Sequence, residues 1–226
     1  MTDEVAGTGR VVLADKPPGP TSHDVVARTR REYGVKRVGH AGTLDPFATG
    51  LLIVLVGREA TREQARFMRL RKTYRVIARF GAISTTGDRD GEITRTGRIP
   101  PPEVPLPTGD VRQRPPAYSA VKVRGERAYR RARRGETVEM PERIVTVHRF
   151  DELDREGDRA EYEIECSSGT YVRSLIADLG DAYCEELRRT RIGPFEVGEA
   201  AAAQALPLAD ALQRVEAFEA AKVEGA

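Results

Sequence analysis

The longest uninterrupted apolar segment of this chain, residues 51–56, is only six residues long. That length suits one buried strand and falls far short of the ~20 apolar residues that a transmembrane helix needs. The N-terminal segment is polar and acidic, without the apolar core of a secretory signal. Two cysteines and three scattered histidines give neither a disulfide framework nor a zinc-binding spacing. These features predict a cytoplasmic protein that holds no metal and does not associate with membranes.

The apolar pattern changes repeatedly between the period of strands and the period of helices. Strands in pairs with helices between them indicate an α+β domain on a mixed, largely antiparallel sheet. Residues 36–50 have turn-forming clusters and no period, which predicts an ordered loop, and seven prolines within 99–116 predict a stiff, irregular linker. Strands are expected at 11–16, 51–57, 72–81, 119–123, 143–153, 159–168 and 188–197, and helices at 22–34, 58–70, 125–135, 170–187 and 206–223.

The net charge of +2 hides an uneven distribution along the chain. Residues 1–9 carry −2 and residues 196–226 carry −4, so the body between them carries +8. Within that body, residues 112–134 hold nine basic side chains and one acidic side chain. A local field of this sign attracts polyanions, which makes nucleic acid a candidate partner. A solvated arginine-rich surface is the alternative interpretation.

Residues 40–46, with the sequence HAGTLDP, place one carboxylate in a glycine-bearing loop just before the buried strand. Loops presented by a rigid strand commonly carry catalytic residues. Asp45 alternatively only caps the turn that it forms with Pro46. The loop holds no second carboxylate, which argues against the paired acids of a glycosidase.

The segment GHAGTLDPFATGLL at 39–52 resembles the catalytic signature of the TruB family of RNA pseudouridine synthases. The resemblance implies the pseudouridine synthase fold, a mixed sheet flanked by helices, with an inserted basic segment at about 112–146 that clasps RNA. The catalytic domain would cover 10–226, after a flexible N-terminus at 1–9, and end in an acidic helix at about 206–223. Further segments match in chain order: DKPPGPTS at 15–22, KTYRVIARFG at 72–81, RPPAYSAVKVRGERAYRRARRG at 114–135, SSGTYVRSLIADLG at 167–180 and ELRRTRIGPF at 186–195.

Members of this family isomerise uridine to pseudouridine at position 55 in the T-loop of transfer RNA, without a cofactor. The resemblance implies that Asp45 is the nucleophile and that Arg173 pairs with it and keeps it ionised. Tyr74 matches a tyrosine whose ring stacks on the flipped uracil and whose hydroxyl serves the proton transfer. From the residues alone, Arg173 would be an ordinary helix-surface arginine and Tyr74 a tyrosine packed on a sheet face.

Other matched positions concern substrate binding. Tyr171 and Leu187 match residues that line the uridine pocket, and His40 matches a histidine that occupies the gap left by the extracted base. Without the resemblance, Tyr171 and Leu187 would be assigned to the core and His40 to a structural or solvent-facing role. The basic segment would contact the phosphates of the T-arm through five arginines: Arg127, Arg130, Arg131, Arg133 and Arg134.

The chain departs from the family pattern in two places. The stretch between Ile93 and Arg114 is short and proline-rich, and the segment before Leu187 is several residues shorter. We also expect no counterpart of the C-terminal RNA-binding module of the PUA type that many members have. We expect a monomer that acts on transfer RNA without guide RNA, unlike the dyskerin-like branch. An RNA-binding protein that has lost catalysis is the other alternative, against which the matched nucleophile, tyrosine and arginine argue together.

Overall fold

The computed structural model describes residues 9–116, 118–119, 121–123, 125–202 and 205–224. The helices are α1 (Ser22–Tyr33), α2 (Arg58–Arg62), α3 (Gln64–Arg69), α4 (Ala128–Arg133), α5 (Val172–Ala177) and α6 (Leu208–Glu224), with a 3₁₀ helix at Val197–Ala202. The strands are β1 (Arg10–Lys16), β2 (Val38–His40), β3 (Thr49–Val56), β4 (Lys72–Phe80), β5 (Ala82–Ser84), β6 (Ile93–Arg95), β7 (Gly109–Gln113), β8 (Lys122–Val123), β9 (Glu126–Arg127), β10 (Arg143–Glu156), β11 (Arg159–Cys166), β12 (Ala182–Ile192), β13 (Phe195–Glu196) and β14 (Leu206–Pro207).

The chain divides into two compact units. The first combines the residues up to Tyr74 with those from Arg188 onward, and the second is Arg75–Leu187. Strands β4 and β12 each begin in one unit and end in the other. The pairs β1–β14, β1–β3, β2–β3, β12–β13, β10–β11 and β7–β10 are antiparallel and β3–β12 is parallel, which confirms the expected α+β class on a mixed, largely antiparallel sheet. Among the helices so described, none is long and apolar enough to cross a membrane.

In the first unit the strand order is β14-β1-β3-β12. Strand β3 is buried on both faces, because its odd-numbered residues 51–55 pack with Phe67 and Phe195 while its even-numbered residues 52–56 pack with Val26. This double burial explains the unbroken apolar run and confirms the predicted buried strand. Helix α6 packs on the side of β3 that carries the odd-numbered residues, through Val215. Its bounds, Leu208–Glu224, are close to the predicted 206–223.

Helix α1 begins and ends as the sequence predicts. Thr21 Oγ1 accepts the backbone N–H of Asp24 at 3.1 Å, and the Asp24 carboxylate accepts the N–H of Thr21 at 2.8 Å, which forms a capping box. Gly34 ends the helix in the left-handed conformation, with φ of 63°. The loop expected over 36–50 is shorter, because residues 38–40 pair with β3 as strand β2, and three residues are too few to show a period.

In the second unit the strand order is β12-β4-β11-β10-β7. Strands β10 and β11 form the expected antiparallel pair, although their turn is only two residues long, at 157–158. The prediction of irregular structure throughout 99–116 is wrong at β7, which pairs with β10. That stretch contains no proline, so its backbone N–H groups are available for pairing.

The predicted helix over 170–187 is wrong beyond its first half. Helix α5 stops at Ala177, Gly180 follows with φ of 140°, and the chain then continues as β12. The N–H of Cys184 donates to the carbonyl of Gly87 at 3.0 Å, and the carbonyl of Cys184 accepts the N–H of Arg89 at 3.1 Å. Pairing with a distant segment therefore outweighs the local helical tendency of this stretch. The helix predicted over 58–70 is interrupted at Glu63, between α2 and α3.

Candidate active site

The Asp45 loop, residues 41–48, connects β2 to β3 in the first unit. Leu44 and Phe47 anchor it, each only 4% exposed, whereas Asp45 between them is partly exposed. The carbonyl of Asp45 accepts the N–H of Ala48 at 3.1 Å, which closes a turn. The loop therefore presents its carboxylate from a backbone that is fixed on both sides.

Neighbouring residues bind the backbone of this loop. Ser22 Oγ accepts the N–H of Leu44 at 2.9 Å and donates to its carbonyl at 3.2 Å. The carbonyl of Pro46 accepts the N–H of Gly19 at 2.8 Å and the Lys16 ammonium at 3.1 Å. The start of α1 and the turn before it therefore hold the loop on either side of the carboxylate.

Two buried cations lie beneath the same loop. Lys16 has no exposed surface, and its burial lowers the pKa of the ammonium, which the negative charge of Asp45 partly opposes. Arg189, on β12, donates from Nε to the carbonyl of Leu51 at 2.7 Å and from Nη2 to that of Gly42 at 3.1 Å. Arg189 is not among the residues that the sequence predicts for the site, because nothing in the segment at 186–195 distinguishes it from Arg188.

His40, at the end of β2, lies directly before the loop. Its ring meets the ring of His23 edge to face, with centroids 5.8 Å apart. Burial, and then the positive charges of His23 and Arg189, lower the pKa of His40. The imidazole is therefore neutral at pH 7 and available as a planar, uncharged surface.

Tyr74 belongs to the same unit as Asp45 and His40. It lies on β4, where Tyr74, Val76 and Ala78 alternate with more exposed residues, as the sequence predicts. The phenol is largely buried, at 8% exposure. The first unit thus contains the candidate nucleophile, the candidate gap-filling histidine and the candidate stacking tyrosine.

Arg173, on α5 of the second unit, is buried, which overturns its interpretation as a helix-surface residue. Its guanidinium donates to the carbonyls of Thr86 and Tyr118, the latter at 3.0 Å, and forms an ion pair with Asp88. The Asp88 carboxylate in turn accepts Thr86 Oγ1 at 2.7 Å and the N–H of Asp90 at 3.1 Å. Asp88 is absent from the sequence-based candidates, although a turn with two aspartates is a weak signal for it.

Tyr171 and Leu187 also lie in the second unit. The Gln113 side chain bonds both backbone groups of Tyr171, at 2.7 and 2.9 Å, and the Arg143 guanidinium lies 4.6 Å from the centre of the phenol ring. Leu187 is buried on β12 instead of lying at the end of the expected helix. Tyr171 therefore has a fixed backbone next to Arg173.

The arginines of the basic segment are partly paired with acids. Arg134 donates to both carboxylate oxygens of Glu126, at 2.7 and 2.9 Å, and to Glu136, which also accepts Arg131 Nε at 2.7 Å. These hydrogen bonds lower the pKa of both glutamates, so the acids are ionised at neutral pH. Arg127 and Arg130 are exposed, and the side chain of Arg133 lies outside the described part of the chain.

Comparisons with known proteins match most of the chain. The family model for the N-terminal domain of TruB family pseudouridylate synthases matches residues 30–172. The tRNA pseudouridine synthase B of Thermobifida fusca is 45% identical and covers 94% of this chain and 84% of its own length. The tRNA pseudouridine synthase B of Corynebacterium diphtheriae is 43% identical, and the match covers 88% of this chain and 72% of that relative. A chain in a solved Cbf5–Nop10–Gar1 complex is 31% identical, with a TM-score of 0.63. The match covers 83% of the present chain and 50% of the chain in the complex.

Proposed function

Since this chain belongs to the TruB family of pseudouridylate synthases, we propose that it converts uridine 55 in the T-loop of transfer RNA to pseudouridine. At the coarser level, it is an isomerase that makes pseudouridine in transfer RNA. The observation that carries the finer proposal is the Asp45 loop, in which a partly exposed carboxylate stands on a backbone bonded at nearly every residue from 42 to 46.

We assign the role of nucleophile to Asp45. A carboxylate can add reversibly to the uracil ring or to the ribose carbon without first losing a proton. The nearby ammonium of Lys16 favours the ionised form of Asp45. The reaction breaks the bond from C1′ to N1 and forms one from C1′ to C5, while C5 loses a proton and N1 gains one. These changes balance without a redox partner, which supports chemistry without a cofactor.

The target base must leave its stack before Asp45 can reach it. Such flipping costs a few kcal/mol, which a planar group in the vacated space helps to offset. His40 suits this role because its imidazole is neutral and lies directly before the Asp45 loop. Tyr74 is assigned to the flipped uracil, through ring stacking and through its hydroxyl in the proton transfer.

We further propose that the chain acts as a monomer without guide RNA. Its greater identity to relatives named tRNA pseudouridine synthase B than to the chain in the Cbf5–Nop10–Gar1 complex supports a stand-alone enzyme. Arg127 and Arg130 of the basic segment would meet T-arm phosphates, which position RNA without specifying its sequence.

Carbodiimide mapping of pseudouridine on an unmodified transcript tests the proposal. The purified chain alone should produce one reverse-transcription stop at position 55. A transcript with cytidine at that position is the control and should give none. Modification at another uridine would overturn the site assignment, and activity only after addition of guide RNA would favour the guided alternative.

A further inference from the structure

We propose that Arg189 is a positioning residue, whose buried guanidinium fixes the backbone of the Asp45 loop and thereby sets the rate of the chemical step. The inference rests on the proposed function in one respect, namely that Asp45 carries the chemistry. Arg189 itself touches neither the substrate nor the carboxylate in this assignment. Its effect passes through the backbone on either side of Asp45.

The bonding of Arg189 is unusual for a buried cation. The residue is only 1% exposed, and arginines buried to this degree are normally paired with a carboxylate. Within the part of the chain that the structure describes, the acceptors recorded for Arg189 are backbone carbonyls: Leu51 at 2.7 Å, Gly42 at 3.1 Å and Thr43 at 3.5 Å. One guanidinium thus bridges the start of the Asp45 loop and strand β3, which follows the loop.

The backbone of Arg189 is fixed as closely as its side chain. Strand β12 runs parallel to β3, with Arg189 opposite Gly50. Gly50 has φ of 102°, and a Cβ built there would collide with the carbonyl oxygen of Arg189. The two strands therefore approach closely only because residue 50 is glycine. This contact places the root of the Arg189 side chain at a set position beneath the loop.

The electrostatics agree with that position. The positive charge of Arg189 lowers the pKa of both Lys16, whose ammonium bonds the carbonyl of Pro46, and His40, which directly precedes the loop. Small errors of placement matter in such a site, since a shift of ~1 Å in a reacting group can cost ~100-fold in rate. A loop released at Gly42 and Thr43 would allow such a shift.

The neighbouring residue provides a matched control. Arg188 lies on the same strand and differs by one position, but its side chain is partly exposed and donates to Asp15 at 2.6 and 3.0 Å. Arg188→Met removes a guanidinium of the same size and charge from the opposite face of β12. It removes a contact to Thr49 Oγ1 at 3.4 Å, just after the loop, but leaves the hydrogen bonds from Arg189 to Gly42 and Thr43 in place.

The experiment uses the full chain and a saturating concentration of transfer RNA transcript under single-turnover conditions. We expect Arg189→Lys, which keeps the charge but loses the planar fork, to lower the rate constant at least ~10-fold, and Arg189→Met at least ~100-fold. Affinity for the transcript should stay within about threefold, since phosphate contacts dominate it. Arg188→Met should keep its rate constant within about threefold of the parent.

The amplitude of the reaction separates positioning from stability alone. A merely structural Arg189 would lower the melting temperature or the active fraction, seen as a smaller amplitude, with an unchanged rate constant. That result would overturn the inference, as would an equal loss in Arg188→Met or failure of both Arg189 variants to fold. If the parent chain itself forms no pseudouridine, the proposed function fails instead.

Discussion

Arg173 Nη1 lies 3.2 Å from Asp88 Oδ2, and both side chains are almost completely buried. The pair joins helix α5 to the turn after β5 within the second unit. Since Thr86 and Asp90 bond the Asp88 carboxylate from its other side, the guanidinium is held in one orientation. A buried pair of this kind is sensitive to loss of either partner.

Asp88→Asn removes the buried negative charge that lies 3.2 Å from the Arg173 guanidinium. We expect the free energy of unfolding to fall by about 3–5 kcal/mol and the single-turnover rate constant to fall at least ~10-fold. Asp90→Asn is the control, because Asp90 is exposed and bonds Asp88 through its backbone. Urea denaturation and rapid-quench kinetics give the two quantities, and equal behaviour of both variants would remove Asp88 from the site.

The predicted pairing of Arg173 with Asp45 has its own test. Arg173→Lys keeps the charge that faces Asp88 but loses the two-point geometry, so it should retain part of the activity that Arg173→Ala loses. Rates of pseudouridine formation at saturating transcript decide this. Two variants with parental rates would show that no such pairing serves the reaction.

Asp45→Asn should abolish turnover while leaving folding and RNA capture intact. The amide is nearly isosteric, and the loop is held by backbone bonds that do not involve the carboxylate. Because an amide is a poor nucleophile, no pseudouridine should form, whereas affinity for transfer RNA should stay within about threefold. Gel-shift titration and single-turnover assays measure both properties, and product at near-parental rates would refute the nucleophile.

Glu126 and Glu136 accept hydrogen bonds from Arg131 and Arg134, and on the proposed function these acids would compete with RNA phosphates for the two arginines. The double variant Glu126→Gln, Glu136→Gln should therefore bind transfer RNA more tightly and with a steeper salt dependence, by roughly one unit of slope for each arginine released to a phosphate. Affinity measured over a range of salt concentrations checks this. Glu139→Gln, an exposed acid of the same segment, is the control. An unchanged slope would show that these arginines stay away from RNA.

His40 should make the protein less stable in acid. Its pKa is lowered in the folded state, so on acidification the unfolded state takes up the proton first. The contribution of the neutral His40 to the free energy of unfolding is fully present above the pKa of ~6.5 that the residue has in the unfolded chain. This contribution is lost progressively as pH falls below that value. His40→Phe should reduce the loss of melting temperature between pH 7.5 and 5.5, and His148→Gln, on exposed surface, should not.

Local signals explain what the sequence predicts correctly. The cap at Thr21, the stop at Gly34 and the apolar run of β3 each depend on neighbouring residues, so they are visible without a structure. Strand β12 is different, because residues 182–187 favour a helix locally and become a strand only through pairing. The burial of Asp88 and Arg189 is likewise tertiary, since a charged side chain in a turn or strand ordinarily lies in solvent.

The turn of residues 17–20 contains three prolines and so has few N–H groups of its own. The Lys16 ammonium acts as the donor instead: it bonds the backbone carbonyls of Pro17 and Pro20, each at 2.8 Å, and that of Pro46 at 3.1 Å. One side chain thereby serves two segments far apart in sequence. A graft of the Asp45 loop onto another scaffold must therefore include Lys16 and the turn at 17–20, because groups outside the loop bond its backbone.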